Sequence, residues 1–359
     1  MNNTLHSVIT GTGTYIPSRK ISNNDFLKHD FYESGGKKLD KDNQDVIDKF
    51  FEITTITERR YVRNDQVASD IAFLAAEKAI ADAAIDPEEL DYIIVAHNFG
   101  DVKHGSNRSD MVPALASRVK HKLRIKNPEC ITYDLPFGCP GWLQGMIQAD
   151  YFIKSGDANK ILIIGTETIS RVIDPHDRDS MIYADGAGAT ILEASQNKNQ
   201  GLLAHKTRSD TYLYSQMLKM GSSYNTQNGR ADDLYLKMNG RRLYQYALET
   251  VPKSIKLCLE KCGLDISAVK KVLIHQANGK MDDAILERLY SLYNIDTVPE
   301  NVMPMIISWT GNSSVATIPT LLDLILKNKV DDHNITKGDI VVFASVGAGM
   351  NINAAVYQF

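Results

Sequence analysis

IDPEELDYIIVA, residues 85–96, decides the fold because a second passage repeats its pattern half a chain later. LDISAVKKVLIH, residues 264–275, aligns with it without a gap at an offset of 179 residues, in a chain of 359 residues. In both passages the end of a helical pattern leads into an apolar run typical of a buried strand. The repeat therefore indicates an internal duplication of alternating strands and helices.

The duplication extends beyond these two passages. A continuous apolar strand at residues 160–165 corresponds to a second one at residues 339–344. The helical pattern at residues 143–153 corresponds to the one that ends at Leu326. Two such halves predict a pseudo-symmetric layered α/β fold, in which ligands bind at the carboxyl ends of strands.

Composition limits the functional classes. The chain has 43% hydrophobic and 23% charged residues and a net charge of −4, which argues against a nucleic-acid-binding protein. No apolar run reaches the ~18 residues of a membrane helix, and Met1–Thr4 shows no basic signal region. Four cysteines are too few for a disulfide scaffold, and Cys258 and Cys262 share a helix face in a spacing that favours core packing over zinc binding. These features predict a cytoplasmic protein.

Two further motifs invite functional interpretations that we set aside. Residues 11–17 are glycine-rich but lack the third glycine and the following helix of a dinucleotide-binding fingerprint. The cationic cluster at residues 58–63 is more typical of a salt-bridged surface than of a ligand site.

The segment at residues 136–142, PFGCPGW, places Cys139 between a strand pattern and a helix pattern. Gly138 and Gly141 allow a sharp turn there, and the positive end of a helix dipole favours a thiolate. Cys139 is therefore a candidate nucleophile. The alternative is a buried free cysteine that packs as a small hydrophobic residue.

His275 and Asn312 follow strand or turn patterns in the second half. Taken alone, His275 could be a hydrogen-bonded core residue, and Asn312 could serve only its turn. The duplication, however, places both near Cys139. A thiolate attacks thioesters or amides, His and Asn can donate hydrogen bonds to a developing oxyanion or enolate, and the backbone of residues 345–349 could complete an oxyanion hole.

The chain resembles the β-ketoacyl-acyl-carrier-protein synthase III family of the thiolase superfamily. The matching motifs are residues 11–17, 57–60, 136–142, 163–168, 177–178, 185–189, 238–241, 275–278, 311–314 and 347–349. This resemblance implies a thiolase-like α/β fold with two βαβαβαββ-type halves in a five-layered αβαβα sandwich. Residues 1–200 would carry the nucleophilic cysteine, and residues 201–359 the histidine and asparagine.

The resemblance also implies a mechanism. Cys139 would take an acyl group from an acyl thioester, and His275 and Asn312 would stabilise the enolate formed when a malonyl thioester loses CO₂. The backbone N–H groups of Cys139 and Ala348 would form the oxyanion hole. The substrates would be coenzyme A or acyl-carrier-protein thioesters, without a metal or other cofactor. The acyl-carrier protein would be a partner, and the enzyme a homodimer.

The resemblance further implies a set of substrate-binding residues: Trp142, Arg178, Asn278, Lys280 and Gly347. Arg178 keeps a coenzyme-contact position, and Lys280 stands where an arginine often docks the carrier protein. Pro140, Gly141 and Trp142 replace the usual small residue, Gly and Phe. Lys49 and Ile53 occupy positions where coenzyme-A-binding members have a tryptophan and an arginine, and the loop at residues 99–110 is longer than usual. These departures predict an unusual primer, either carrier-bound or an aryl or medium-chain acyl group, from specialised metabolism.

Three other functions remain open. The first is an acyltransferase or a non-decarboxylating enzyme that resembles 3-hydroxy-3-methylglutaryl-coenzyme-A synthase. The second is a non-catalytic partner subunit, which the retention of Cys139, His275 and Asn312 disfavours. The third is a Cys-His-Asn protease or glutaminase, which the duplicated halves disfavour.

Overall fold

The computed structural model describes residues 5–227 and 233–359; Met1–Thr4, where the signal region was sought, lie outside the described residues. The helices are α1 Asn43–Thr54, α2 Ala68–Ala83, α3 Leu115–Lys122, α4 Gly141–Ser155, α5 Thr211–Tyr214, α6 Gly240–Lys261, α7 Gly279–Ser291, α8 Ile307–Thr310 and α9 Thr317–Leu326. The strands are β1 His6–Tyr15, β2 Arg19–Ser22, β3 Glu58–Tyr61, β4 Tyr92–His97, β5 Asp101–Val102, β6 Ser109–Asp110, β7 Ile131–Pro136, β8 Lys160–Thr168, β9 Asp185–Ser195, β10 Gly201–Ser209, β11 Leu218–Gly221, β12 Tyr235–Met238, β13 Val269–Ile274, β14 Ile340–Gly347 and β15 Asn351–Gln358.

Two mixed sheets form the frame of the molecule. The first has the strand order β1-β9-β8-β4-β7, and the second has the order β10-β15-β14-β13. In the first sheet β4 runs parallel to β7 and β8, while β9 is antiparallel to β8 and β1. In the second sheet β13 runs parallel to β14, while β15 is antiparallel to β14 and β10. Among the residues that the structure describes, the second sheet therefore repeats the first without a counterpart of β7.

The offset of 179 residues is confirmed at the level of single hydrogen bonds. A 3-10 turn at Pro87–Glu89 precedes β4, and its counterpart at Ile266–Ala268 precedes β13. Asp86 caps the first turn through the N–H of Glu88, and Asp265 caps the second through the N–H of Ser267, both at 3.0 Å. The same polar side chain thus begins the same turn in each half.

The central layer consists of α4 and α9, which pack between the two sheets. Ile94 and Ala96 of β4 face this layer, as do Val341 and Phe343 of β14. Because side chains alternate along a strand, the residues between them face outward. Ile93 and Val95 belong to a hydrophobic cluster with residues of α2 and α3, and Val342 and Ala344 belong to one with residues of α6 and α7. The result is the predicted αβαβα sandwich.

The boundary between the two predicted halves falls in a short connection. Strands β1 and β4–β9 end by Ser195, and the strands of the second sheet begin at Gly201. The division at residue 200 as a domain boundary stays a prediction. Among the described residues, no helix is long and apolar enough to cross a membrane.

Candidate active site

Cys139 lies in the turn between the end of β7 and the start of α4, as the sequence predicts. The N–H of Gly141 donates to the carbonyl of Gly138 at 2.9 Å and closes the turn. Gly138 has φ +69°, a conformation that side chains disfavour. A Cβ there would also lie 3.1 Å from the nitrogen of Ala348. Glycine at position 138 therefore allows the end of β14 to approach the cysteine.

Gly347 makes the closest approach to Cys139 on this side. A Cβ at position 347 would lie 2.7 Å from the nitrogen of Cys139 and 2.5 Å from Cδ of Pro140. The Gly347–Ala348 backbone thus runs directly beside the backbone of Cys139. This places the two predicted oxyanion-hole segments side by side, while their role in binding an oxyanion stays a prediction.

Asn312 is held in place by its backbone. Its N–H donates to the carbonyl of Ile182 at 3.0 Å, and its carbonyl accepts from the N–H of Ala184 at 2.8 Å. Its side-chain Oδ1 accepts from the N–H of Ser314 at 2.8 Å. With Oδ1 engaged in this way, the Nδ2 group is oriented as the donor of the amide.

His275 follows β13 and is buried. Its N–H donates to the carbonyl of Ala344 at 2.9 Å, which fixes the backbone at the end of the second sheet. Burial lowers the pKa of His275 to about 4, and a hydrogen bond with the Ser314 backbone opposes this shift. The imidazole is therefore neutral near pH 7. Its Nδ1 is buried and has no hydrogen-bond partner within residues 5–227 and 233–359.

Ser314 connects the three predicted residues. Its hydroxyl donates to Sγ of Cys139 at 3.2 Å, its N–H holds Asn312, and its backbone interacts with His275. The structure thus brings Cys139, His275 and Asn312 together around one residue. A sulfur nucleophile beside an amide donor and a neutral imidazole can carry out acyl transfer with stabilisation of an oxyanion or enolate.

Desolvation acts against the thiolate that the helix terminus favours. Burial raises the pKa of the Cys139 thiol to about 11, and the hydrogen bond from Ser314 only partly opposes this shift. The charge of Glu167 raises the pKa further. Desolvation therefore outweighs the helix terminus, and the thiol is protonated at neutral pH.

A cavity of about 720 Å³ lies against Asn312 and extends to the surface between α1, α6 and α7. Its wall combines apolar side chains with cations. The charged residues on it are Lys41, Asp45, Lys49, Arg178, Asp179 and Arg241. Ile53 of α1 also lines the cavity. This is one of the positions at which the sequence differs from the family pattern. The cavity is therefore suited to a long ligand with an anionic portion.

The predicted binding residues occupy different environments. Arg178 and Asn278 line the cavity. Asn278 also caps α7, because its Oδ1 accepts from the N–H of Met281 at 3.1 Å. Lys280 is exposed on the first turn of α7, next to the cavity wall formed by Met281. Gly347 lies behind Cys139 and not on the wall of the cavity.

Trp142 does not reach the cavity. Its side chain is 1% exposed and packs in the central layer against the ring of Phe343, with ring centroids 5.8 Å apart. The indole N–H donates to the hydroxyl of Thr190 at 3.2 Å. The direction of α4 turns this residue away from the cavity and into the core between the sheets. The structure thus places it as a core residue, not as a substrate contact.

The interpretation of residues 58–63 as a salt-bridged surface holds for only part of the cluster. Glu58 forms ion pairs with Lys20 and Arg60. Arg59, in contrast, is fully buried, and its guanidinium donates to the carbonyls of Met181 and Ile21. Gly311, which precedes Asn312, packs directly against Arg59, because a Cβ at Gly311 would lie 2.5 Å from the Cβ of Arg59.

Sequence reasoning missed three polar residues of this site. Ser314 and Glu167 belong to motifs that carried the family resemblance, but neither received a role. Asn98 directly precedes the long loop at residues 99–110 and received no role either. Its Nδ2 donates to the hydroxyl of Ser314 at 3.1 Å and also to the carboxylate of Glu167. A polar residue directly after the buried strand β4 is the signal that points to it.

Two family models match the chain. The model described as 3-oxoacyl-[acyl-carrier-protein (ACP)] synthase III matches residues 133–211, and its C-terminal counterpart matches residues 259–359. The first match includes Cys139, and the second includes His275 and Asn312.

Full-length relatives agree with this family. A β-ketoacyl-[acyl-carrier-protein] synthase III 1 from Vibrio parahaemolyticus is 31% identical over 99% of this chain and 100% of its own length. The crystal structure of a 3-oxoacyl-[acyl-carrier-protein] synthase III from Aquifex aeolicus is 27% identical and has a TM-score of 0.77, with 98% of this chain and 100% of that one covered. A priming β-ketosynthase from a polyketide biosynthetic pathway is 25% identical and has a TM-score of 0.80, with 99% and 96% covered.

Proposed function

Because this chain belongs to the β-ketoacyl-acyl-carrier-protein synthase III family, we propose that it joins an acyl group carried on Cys139 to a malonyl unit on the acyl-carrier protein. It is an acyl-transferring condensing enzyme that makes a β-ketoacyl thioester. The observation that carries the proposed site is the arrangement of Cys139, His275 and Asn312 around Ser314.

In the first step the sulfur of Cys139 attacks the carbonyl carbon of an acyl thioester. A new carbon–sulfur bond forms, the bond to the donor sulfur breaks, and the proton of the Cys139 thiol leaves with the donor thiol. The backbone N–H groups of Cys139 and Ala348 would bind the oxyanion of the tetrahedral intermediate, and the close approach of Gly347 to the Cys139 backbone supports this role. The acyl group then remains on Cys139.

In the second step a malonyl thioester loses CO₂, and the electrons of the broken bond form an enolate. The Nδ2 group of Asn312 and the neutral imidazole of His275 supply two uncharged donors for its oxygen. The enolate carbon attacks the acyl carbonyl, and the Cys139 thiolate leaves. The sulfur takes up a proton before the next cycle. The residues supply all of these roles, and we propose that the enzyme needs no metal or other cofactor.

The acyl donor and the carrier protein would reach the site through the cavity. Arg178 and Arg241 on its wall can contact phosphate groups of a phosphopantetheine or coenzyme A arm. Lys280 is exposed beside this entrance and can pair with an acidic surface of the carrier protein. Lys49 and Ile53 also line the cavity. Their presence supports a primer other than acetyl-coenzyme A.

A homodimer and a cytoplasmic location complete the proposal. Both follow from family membership and from the sequence rather than from contacts within this chain. The four cysteines are free thiols, as expected in a reducing compartment.

Intact-mass measurement of the protein after exposure to a panel of acyl thioesters tests the function. We expect one class of acyl group to add to the wild type and to Cys130→Ala, whose thiol is buried away from the site, but not to Cys139→Ala. Loading by acetyl-coenzyme A as fast as by longer or carrier-bound donors would contradict the unusual primer. Absence of any loading, together with no alkylation of Cys139 by iodoacetamide, would favour a non-catalytic subunit.

Release of CO₂ from malonyl thioester by Cys139→Gln separates decarboxylating from non-decarboxylating enzymes. The variant cannot be acylated, but His275 and Asn312 remain. We therefore expect CO₂ release to persist. An enzyme that resembles 3-hydroxy-3-methylglutaryl-coenzyme-A synthase would release none.

A further inference from the structure

A network of hydrogen bonds leads from the reactive sulfur to a buried carboxyl group. The hydroxyl of Ser314 lies 3.2 Å from Sγ of Cys139, and Nδ2 of Asn98 lies 3.1 Å from the same hydroxyl oxygen. Asn98 donates to Oε1 of Glu167 through its backbone N–H, at 2.8 Å, and again through Nδ2. Glu167 is 1% exposed.

The available hydrogen atoms fix the direction of each hydrogen bond in this network. The amide Nδ2 of Asn98 has two hydrogens, and it uses one for Glu167 and one for Ser314. The oxygen of Ser314 therefore accepts from Asn98 and keeps its single hydrogen for another acceptor. Sγ of Cys139 is that acceptor. The hydroxyl thus points its proton at the sulfur.

The position of Ser314 is constrained independently of its hydroxyl. Its φ of +53° lies in the left-handed region, which is strained for a residue with a side chain. The backbone N–H of Ser314 is held by Asn312, which keeps the residue in this conformation. Asn98 is placed just as closely, since a Cβ at Gly138 would lie 3.4 Å from its Oδ1. Ser314 and Asn98 are therefore both held beside the turn that carries Cys139.

We propose that Ser314 is a further catalytic residue whose hydroxyl stabilises the thiolate of Cys139, and that Asn98 and Glu167 are positioning residues that aim this hydroxyl. The inference rests on the proposed function, in which the sulfur is negatively charged at two points: when it attacks the acyl donor and when it leaves the acyl intermediate. A hydrogen bond from a neutral hydroxyl to a charged sulfur is stronger than one to a thiol, so it favours both events.

This role meets a specific need of the site. The surroundings of Cys139 otherwise oppose a negative charge, because burial and the nearby carboxylate of Glu167 both raise the pKa of its thiol. Ser314 is the side-chain partner that lowers the pKa. Glu167 acts in the opposite sense when it is ionised, above its raised pKa of about 8, so its contribution to catalysis is the anchoring of Asn98.

Alkylation of Cys139 tests this proposal without any acyl substrate. The rate of iodoacetamide labelling, followed by peptide mass spectrometry at Cys139 from pH 6 to pH 11, reports the thiolate fraction. We expect Ser314→Ala to raise the apparent pKa by about one unit and to lower the rate at pH 8 roughly 10-fold. Ser314→Gly removes the same hydroxyl while relieving the left-handed backbone, and it should give the same shift.

Ser313→Ala is the matched control, because Ser313 is the adjacent buried serine and packs against Gly186 instead of the sulfur. It should keep the wild-type profile. Asn98→Ala should raise the apparent pKa of Cys139, as Ser314→Ala does. Glu167→Gln retains an acceptor for Asn98, so it should not raise this pKa. Profiles of both Ser314 variants that coincide with Ser313→Ala would overturn the proposal. Failure of acyl loading in the wild type would instead overturn the proposed function, so the two failures are distinguishable.

Discussion

The side-chain oxygen of Asn312 accepts a hydrogen bond from the backbone N–H of Ser314 at 2.8 Å. This bond determines which end of the amide faces the reaction, because it leaves Nδ2 as the outward donor. The residue therefore enters the site with its donor already oriented, and no rearrangement is needed when charge develops on a substrate oxygen.

Replacement of Asn312 by Ala should impair decarboxylation much more than acylation. The variant loses one of two donors to the enolate, which predicts a roughly 10²–10³-fold lower rate of CO₂ release from malonyl thioester. Acyl loading on Cys139, measured by intact mass, provides the internal control and should fall far less. Equal losses in both reactions would show that Asn312 acts mainly on the nucleophile.

The rate of acyl loading should rise with pH. Burial raises the pKa of the Cys139 thiol to about 11, so the thiolate fraction grows roughly tenfold for each pH unit below that value. Between pH 7 and pH 9 we therefore expect a rise of roughly 100-fold in the single-turnover loading rate. A rate that is constant over this range would mean that a preformed thiolate is present.

The sequence predicts those parts of the site whose chemistry follows from the order of residues along the chain. Cys139 on a strand-to-helix turn, and the duplication that places His275 and Asn312 at equivalent ends of the second half, are visible in residue order alone. The hydrogen bond from Ser314 to Cys139 spans 175 residues. It depends on one left-handed backbone conformation that no local pattern indicates. The raised pKa of the Cys139 thiol likewise depends on burial in the folded protein, which residue spacing does not reveal.

The stability of the fold should decrease between about pH 4.5 and pH 8 through Glu167. Burial raises the pKa of this carboxyl to about 8 from its ordinary value of 4.5. The folded state therefore binds a proton that the unfolded chain has released, and this contribution is complete below pH 4.5 and is lost as the pH rises through 8. Glu167→Gln should show a smaller decrease of melting temperature over this range.

Glu249→Gln is the control for that measurement, because Glu249 is exposed on α6. Its melting temperature should follow the wild-type pH dependence. Burial raises the pKa of Asp185 to about 6. Asp185 therefore contributes in the same direction in the wild type and in both variants. A wild-type slope that persists in Glu167→Gln would assign the pH dependence to Asp185 and other groups.

Substitution of Gly347 by Ala should separate the two backbone segments beside Cys139. The new Cβ would lie 2.7 Å from the Cys139 nitrogen, so the backbone must shift, at a cost of about 1–3 kcal/mol in the free energy of unfolding. We expect acyl loading to fall roughly 10²-fold or more if the Ala348 N–H binds the oxyanion. Gly35→Ala, where the added Cβ meets no atom within 4 Å, should leave both stability and loading unchanged.

Trp142 and Ile53 should give opposite results, and together they locate the determinants of acyl specificity. Trp142 lies in the core, so Trp142→Phe should lower the free energy of unfolding by about 1–3 kcal/mol without changing which acyl groups load on Cys139. Ile53 lines the cavity and is 41% exposed, so Ile53→Ala should change the KM for the acyl donor with little change in melting temperature. The sequence alone could not make this distinction, because both residues depart from the family pattern and only their packing differs. If Trp142→Phe changed the acyl preference while its stability stayed normal, Trp142 would have to be regarded as a substrate-binding residue.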